Sequence, residues 1–307
     1  MNQISVIICT HNPKLEYLNR VWETLKTQTL DKSQWELLLI DNGSKETLST
    51  YIDLSWHPNA RHIREDKLGL TPARICGILN AKADILLFVD DDNCLKDDYL
   101  ELSVNHFKAN SLLGTLGAGK ILPEFEVKPS AEILPYTQML ALRNEERAHY
   151  SNAIRFNSAI PYGAGMCILK TIALAYVESC KKRTIAAALD RSGNALLSGG
   201  DVDLALHACK AGYLAGVIPE LELIHIIPKG RLAEDYLIKI AAGHAFSHYM
   251  LGRMWGYLKD YPENYILKKV RYLTKASKGK GLSKAIFVAE HNAIEQARAA
   301  WNKTAKA

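Results

Sequence analysis

Three adjacent carboxylates, Asp90-Asp91-Asp92, follow the unbroken apolar run ILLFV. Side by side they repel one another, and at the end of a buried strand they are costly unless positive charge sits among them. A hard divalent cation, Mg²⁺ or Mn²⁺, is the natural partner and would bridge carboxylate to a substrate diphosphate. The competing reading is a solvated acidic turn before a helix over 95–106, which is all that Asp97 and Asp98 require. Asp201 stands behind Gly199-Gly200 at the start of a helical pattern. It is either a helix N-cap or a general base that the glycines allow a substrate to approach. Asp203, two positions on, would face elsewhere on that helix. His225 lies within the apolar run 221–227 and is either a hydrogen-bonded core histidine or a metal ligand.

Three further residues bear on ligand binding. Asp41 closes the apolar run 36–40 ahead of Asn42-Gly43, as an Asx-turn or as an acceptor for a base N–H or a ribose hydroxyl. Arg74 sits in the first turn of a predicted helix, where a cation opposes the helix dipole unless an anionic ligand lies nearby. Thr10, with His11 and Asn12, stops the first apolar run.

The elements that must position these residues follow from periodicity. Runs 4–9, 36–40 and 84–89 read as buried strands, with 61–64 as a shorter one. Helical spacing covers 14–27, 45–54 and 71–82, the last with Thr71 as N-cap and Pro72 at the first helical position. Strands alternating with such helices predict a largely parallel twisted sheet flanked by helices, in which ligands gather at the carboxyl ends of the strands. Three polar stops lie at those ends: Thr10-His11-Asn12, Asp41-Asn42 and Asp90-Asp91-Asp92. Beyond them, 114–170 is mixed, 213–217 and 221–227 read as strands, and the chain from about 233 onward reads as helical.

At 307 residues, 48% hydrophobic and 23% charged, the chain has ordinary globular composition, which excludes a disordered or collagen-like protein. The residues divide into 1–230, carrying the candidate site, and a helical basic extension, 231–307. Residues 262–307 hold ten Lys/Arg against three Glu. That segment is a solvated helical face or is attracted to an anionic bilayer, with Trp255, Tyr257, Tyr261, Tyr265 and Tyr272 as interfacial anchors. No nucleic-acid motif accompanies the charge. The six cysteines form no CxxC pair, which fits buried thiols in a reducing compartment. No apolar run is long enough to span a membrane, and MNQISVIICTHN lacks a leader pattern, so a cytoplasmic site is expected, peripheral at the inner face of the membrane if the basic segment binds there.

The segments SVIICTHNP, LLLIDNGS, GLTPARICGILNAKADILLFVDDDN, PYGAGMCILK and SGGDVDLALHACKAGY resemble, in order, those of the family 2 glycosyltransferases. The resemblance implies a GT-A fold and inverting, metal-dependent transfer of one sugar from a nucleotide-sugar, a UDP-sugar before other donors, to a glycan or lipid-linked acceptor. Bacterial-type surface glycan or glycolipid synthesis is the implied setting. By the same resemblance Thr10, Asn12 and Asp41 would border the nucleotide, and Arg74 the base or diphosphate. Asp90-Asp91-Asp92 would be the DxD motif, with Asp91 or Asp90 meeting the ribose and Asp92 on the metal. Asp201 would be the catalytic base and His225 a further metal ligand.

This sequence departs from the family pattern in places. Gly200 stands where many members carry Glu, and Lys170 where Arg is common. No QxxRW pattern or membrane helix of a processive synthase is present. Two other functions remain open. A sugar nucleotidyltransferase would need a glycine-rich phosphate loop where CTHNPK stands, and a catalytically silent sugar-nucleotide binder would keep the cleft without the transfer. A nicotinamide dehydrogenase is disfavoured by the lack of GxGxxG after the first strand.

Overall fold

The computed structural model describes residues 2–182, 196–259 and 279–304. Four strands, β1 (Ile4–Thr10), β2 (Trp35–Asp41), β3 (Ala60–Arg64) and β4 (Ile85–Val89), pair in parallel in the order β3-β2-β1-β4. Helices α1 (Leu15–Lys26) and α2 (Leu70–Asn80) fall between them. Strand β3 at the edge, ARHIR, is only half-buried, whereas β1, β2 and β4 are nearly continuous apolar runs because both faces are covered. Their side chains alternate between two cores. Val6, Ile8, Leu37, Leu39 and Leu87 pack with Leu18, Val21 and Trp22 of α1. Ile7, Leu38, Ile40, Leu86 and Phe88 face the other way, toward Ala73 and Ile78 of α2.

Beyond β4 the sheet becomes mixed. Strand β9 (Met166–Leu169) runs antiparallel to both β4 and β6 (Leu113–Phe125). Strand β10 (Leu214–Ile227) is parallel to β6, and β5 (Asn93–Leu95) runs antiparallel against it. Short strands β7 (Arg143–Asn144) and β8 (His149–Ser151) pair with β6 and β10. The two expected strands 213–217 and 221–227 are thus one element, β10, with a register shift between Ile218 and Glu222 around Pro219. Proline cannot donate to a ladder, and a bulge accommodates it.

Other helices are α3 (Tyr99–Ala109), α4 (Lys170–Lys182), α5 (Gly200–Lys210), α6 (Glu234–Met254) and α7 (Gly281–Thr304). The α6 residues Tyr249, Met250 and Leu251 join the same core as Ile7 and Leu38, and Ala297 of α7 joins it as well. The described helices after residue 230 therefore pack into the body of the molecule. Among the described residues no helix is long and apolar enough to cross a membrane. Residues 260–278, with Tyr261, Tyr265, Tyr272 and half of the basic tail, lie outside the described residues.

Two local expectations are corrected. Residues 45–54 form a single 3₁₀ turn, Leu48–Thr50, rather than a helix. The Asp41 carboxylate accepts from the backbone N–H groups of Ser44 (2.9 Å) and Leu48 (3.1 Å), and so pins the loop across its length. The N-cap of α2 is Gly69, not Thr71. Its φ of 130° is open to glycine, and its N–H donates to Asn42 Oδ1 at 2.8 Å.

Candidate active site

A cleft of about 910 Å³ opens at the carboxyl ends of the parallel strands. Thr10, Arg74, Asp90, Asp91, Asp92, Asp201 and His225 all line it. Sheet pairing explains the convergence. Thr10 ends β1 beside β4, and its hydroxyl donates to Asp91 Oδ2. Strand β5 follows directly on the carboxylates and pairs Asn93 with His225 of β10, while the Ile226 N–H donates to the Asp92 carbonyl at 2.9 Å. Two residues 133 positions apart in sequence are thereby set side by side, with Asp92 Oδ1 3.6 Å from His225 Nε2.

Both partners are buried, each about 5% exposed. Two ligands of one cation, each bonded at roughly 2.1 Å, stand about 3.0–3.4 Å apart, so a small inward shift would let this pair hold one. A carboxylate and an imidazole together suit Mn²⁺ better than Mg²⁺. Among the described residues no third His, Cys, Asp or Glu completes a cluster. Such a pair leaves coordination positions for oxygens that a substrate brings. The charge pattern also fits: desolvation at the cleft floor, then the Asp92 charge, pushes the Asp91 carboxyl up to about 7.

Asp201 is set in the first turn of α5, with Gly199 as the N-cap. It is therefore not the cap itself. Its Oδ2 accepts from the Gly163 N–H at 2.8 Å and its Oδ1 from the Val202 N–H at 2.8 Å. Gly163 lies between Asp201 and Arg74. A Cβ there would come within 2.5 Å of Arg74 Nη2 and 3.4 Å of Asp201 Oδ2, so glycine lets an acid and a base line the same wall. Asp203 faces away from the cleft, fully buried, and accepts from Trp255 Nε1 at 2.8 Å.

Asp41 and Asn12 do not line the cleft. Beyond its backbone contacts, Asp41 Oδ2 takes Arg64 Nη1 at 2.7 Å. Burial alone would raise its pKa, but these hydrogen bonds outweigh burial and hold it below the usual carboxylate range. Asn12, at φ 48°, accepts from the Lys45 N–H at 2.9 Å, and its own N–H donates to Ser44 Oγ at 2.9 Å. Both residues fasten the loop that carries Asn42, which does reach the cleft.

Several cleft residues escaped sequence reasoning. Arg231, in the 3₁₀ turn Lys229–Leu232 after β10, donates from Nη2 to Asp92 Oδ2 and from Nη1 to His225 Nε2, both at 2.9 Å. No motif marks it. Tyr236, Ile240, His244, His248 and Leu251 form the far wall from one face of α6. Their spacing of three and four was visible once 233 onward had been read as helical. Opposite them, Phe156 meets the His248 ring edge-on at 6.0 Å, and burial pushes the His248 pKa down.

Comparisons with known proteins bear on the family and the fold. Poly(ribitol-phosphate) beta-N-acetylglucosaminyltransferase TarP of Staphylococcus aureus is 27% identical over 133 residues, 40% of each chain. Polypeptide N-acetylgalactosaminyltransferase 8 of Drosophila melanogaster is 31% identical over 102 residues, 32% of this chain and 17% of that one. The chain thus spans less than half the length of these relatives. A mannosyltransferase from Pyrobaculum calidifontis, solved with GDP-Man and Mn²⁺, superposes with a TM-score of 0.56 at 16% identity, covering 99% of this chain and 75% of that one. S. aureus TarS residues 1–349 with UDP-GlcNAc superposes at 0.53 and 13%, covering 96% and 81%. The fold is accordingly of the GT-A type. The sequence model described as "Glycosyl transferase family 2" matches residues 5–163, more than half of the chain, and the chain belongs to that family.

Proposed function

We propose that the protein is an inverting glycosyltransferase that moves one sugar from a nucleotide-sugar donor to an acceptor hydroxyl. The observation that carries this reading is the shared cleft: a carboxylate–imidazole pair, Asp92 and His225, and a separate carboxylate, Asp201, line one cavity. Family membership and the donors bound by the structural neighbours support it.

In this reading Asp92 and His225 hold Mn²⁺ or Mg²⁺. When bound, the cation sets positive charge against the negative charge that develops on the leaving diphosphate. Thr10 and Asn42 border the nucleotide from the ends of β1 and β2, and Arg74 adds a fixed guanidinium to the diphosphate side. Asp90 and Asp91 face the ribose. Asp201 takes the proton of the attacking hydroxyl as the bond to the anomeric carbon forms. Gly163 and Val202 donate to its two oxygens and fix the carboxylate in place. A single displacement from the face opposite the leaving group inverts the anomeric carbon.

The wall built by α6 and by Phe156 receives the acceptor, a glycan or lipid-linked sugar of the kind used in surface glycan or glycolipid synthesis. The acceptor side then comes mainly from the chain after residue 230 and the donor side mainly from the chain before it. A lipid-linked acceptor would place the enzyme at the inner face of a membrane, with the basic segment 262–307 toward the anionic surface. The part of that segment in α7 packs Ile294 and Trp301 against the core around Met250, leaving Lys284, and Lys280 just before the helix, outward.

Thermal stabilisation by a panel of UDP- and GDP-sugars with Mn²⁺ should reveal the donor, and EDTA should abolish transfer, with Mn²⁺ or Mg²⁺ restoring it. Unchanged turnover in EDTA would contradict the metal role. Asp201→Asn should keep nucleotide binding and lose at least about 10²-fold in transfer. Full transfer by that variant would remove Asp201 from the mechanism. Donor binding without transfer or hydrolysis by the wild type would mark a silent binder.

A further inference from the structure

The Arg231 guanidinium lies where the proposed cation would have to bind. Its two nitrogens reach one oxygen of Asp92 and the Nε2 of His225, at 2.9 Å each. Guanidinium carries only donors, so His225 Nε2 must be the acceptor in that contact. An imidazole nitrogen has one lone pair. It is given either to an Arg N–H or to a metal ion, never to both. The arrangement around Asp92 is therefore exclusive: a cation bonded to His225 must release Arg231 from it.

The released side chain has a defined surrounding. Arg231 belongs to a four-residue 3₁₀ turn, Lys229–Leu232, anchored through the Lys229 N–H on Glu126 Oε2 at 2.8 Å. Its backbone is thus tied while its head group can change partner. Burial disfavours its charge, and the carboxylates of Asp92, Asp90 and Asp91 together with Tyr236 restore it, so its pKa is raised and it stays cationic. A cation taking over Asp92 and His225 removes the largest part of the compensation that this guanidinium had. The nearest source of new negative charge is the diphosphate that arrives with the metal, and the planar fork of arginine fits phosphate oxygens in pairs.

We propose that Arg231 and the divalent cation exchange places on His225. Arg231 neutralises the acidic cluster while the cleft is empty, and binds the donor's diphosphate once the cation is in. This deepens the glycosyltransferase reading and rests on it. It makes cation and nucleotide binding mutually reinforcing. The cation alone must displace Arg231 without recompense, whereas the cation with a nucleoside diphosphate gives the arginine a second partner.

The test measures binding rather than turnover. Mn²⁺ is titrated into the wild type, Arg231→Met and Arg231→Lys, followed by electron paramagnetic resonance of free Mn²⁺, alone and with UDP or GDP in separate arms. Melting curves establish that each variant is folded. Arg231→Met is expected to bind Mn²⁺ alone several-fold more tightly than the wild type, because its competitor is gone. The same variant should bind nucleoside diphosphate in saturating Mn²⁺ about tenfold more weakly, the scale of a lost charge-assisted pair. Arg231→Lys should fall between the two in both measurements. A folded Arg231→Met that binds Mn²⁺ alone no more tightly than the wild type overturns the exchange. Undiminished nucleotide binding overturns the diphosphate role. Lack of Mn²⁺ binding by the wild type in every arm would instead bring down the metal reading of Asp92 and His225, and the exchange with it.

Discussion

Acidic residues stand at both edges of the parallel sheet, and the two edges treat them in opposite ways. At the amino edge Glu36, 1% exposed, accepts from Ser5 Oγ (2.6 Å), the Lys82 N–H (2.5 Å) and Arg61 Nη2 (2.9 Å). Burial would raise its pKa, but these three donors together lower it. This acceptor is matched by the protein itself. At the carboxyl edge Asp90, Asp91 and Asp92 crowd together, and Asp91 is pushed up to about 7. A buried carboxylate whose donors come from its own chain is architecture. A group of carboxylates in which two raise the pKa of the third is, in the proposed function, the place an external cation would take.

The comparison breaks most sharply at Glu36. Glu36→Ala leaves the Lys82 N–H and the Ser5 hydroxyl without this acceptor and Arg61 with the Asn80 carbonyl but no counter-charge there, and should cost about 3 kcal/mol, read from urea denaturation at pH 7. Transfer per folded molecule should be unchanged, because none of its partners lines the cleft. The pH dependence carries a definite sign. The folded pKa lies below the unfolded value of roughly 4.3, so this stabilisation is present above that value and fades as pH falls through the folded pKa. Denaturation midpoints of the wild type and Glu36→Gln should therefore draw together on acidification below about pH 4. A gap that stays constant into acid would show that packing, not the charge, is what Glu36 supplies.

The same contrast explains what was legible in the sequence. Buried strands ending in polar stops gave the parallel half of the sheet and its ligand-binding edge, because both depend on local periodicity. Thr10 and Asp41 look alike in sequence, each closing an apolar strand at that edge. Thr10 faces the cleft, whereas Asp41 is turned into its loop by Ser44, Leu48 and Arg64. That choice depends on how a loop folds back, which strand patterning does not encode. Asp201 and His225 reach the cleft, yet only the pairing of β5 with β10 puts His225 beside Asp92. Arg231 was illegible for a related reason: its contact with Asp92 spans 139 positions and follows from the turn after β10. The antiparallel strand β9, inserted between β4 and β6, likewise arises from long-range pairing that no local pattern announces.

A smaller effect, of opposite sign, sharpens the comparison at the carboxyl edge. Asp91→Asn removes a charge that its surroundings oppose, while the amide oxygen can still accept from the Thr10 hydroxyl that now meets Asp91 Oδ2. Without metal, in EDTA, the variant should be more stable than the wild type by at least about 1 kcal/mol at pH 8. The sign follows from linkage. A carboxyl whose folded pKa is raised to about 7 keeps its full contribution below the unfolded value near 3.9 and loses it as pH rises through the folded value. The wild type should therefore weaken between about pH 4 and pH 7 relative to the variant, and the gap should level off above that. Mn²⁺ with nucleotide should reverse the order, since the charge that destabilises the empty cleft then has a partner. Equal stability of the two proteins at pH 8 in EDTA would mean that Arg231 already neutralises the cluster in full, and the carboxyl edge would then be as self-sufficient as the edge that holds Glu36.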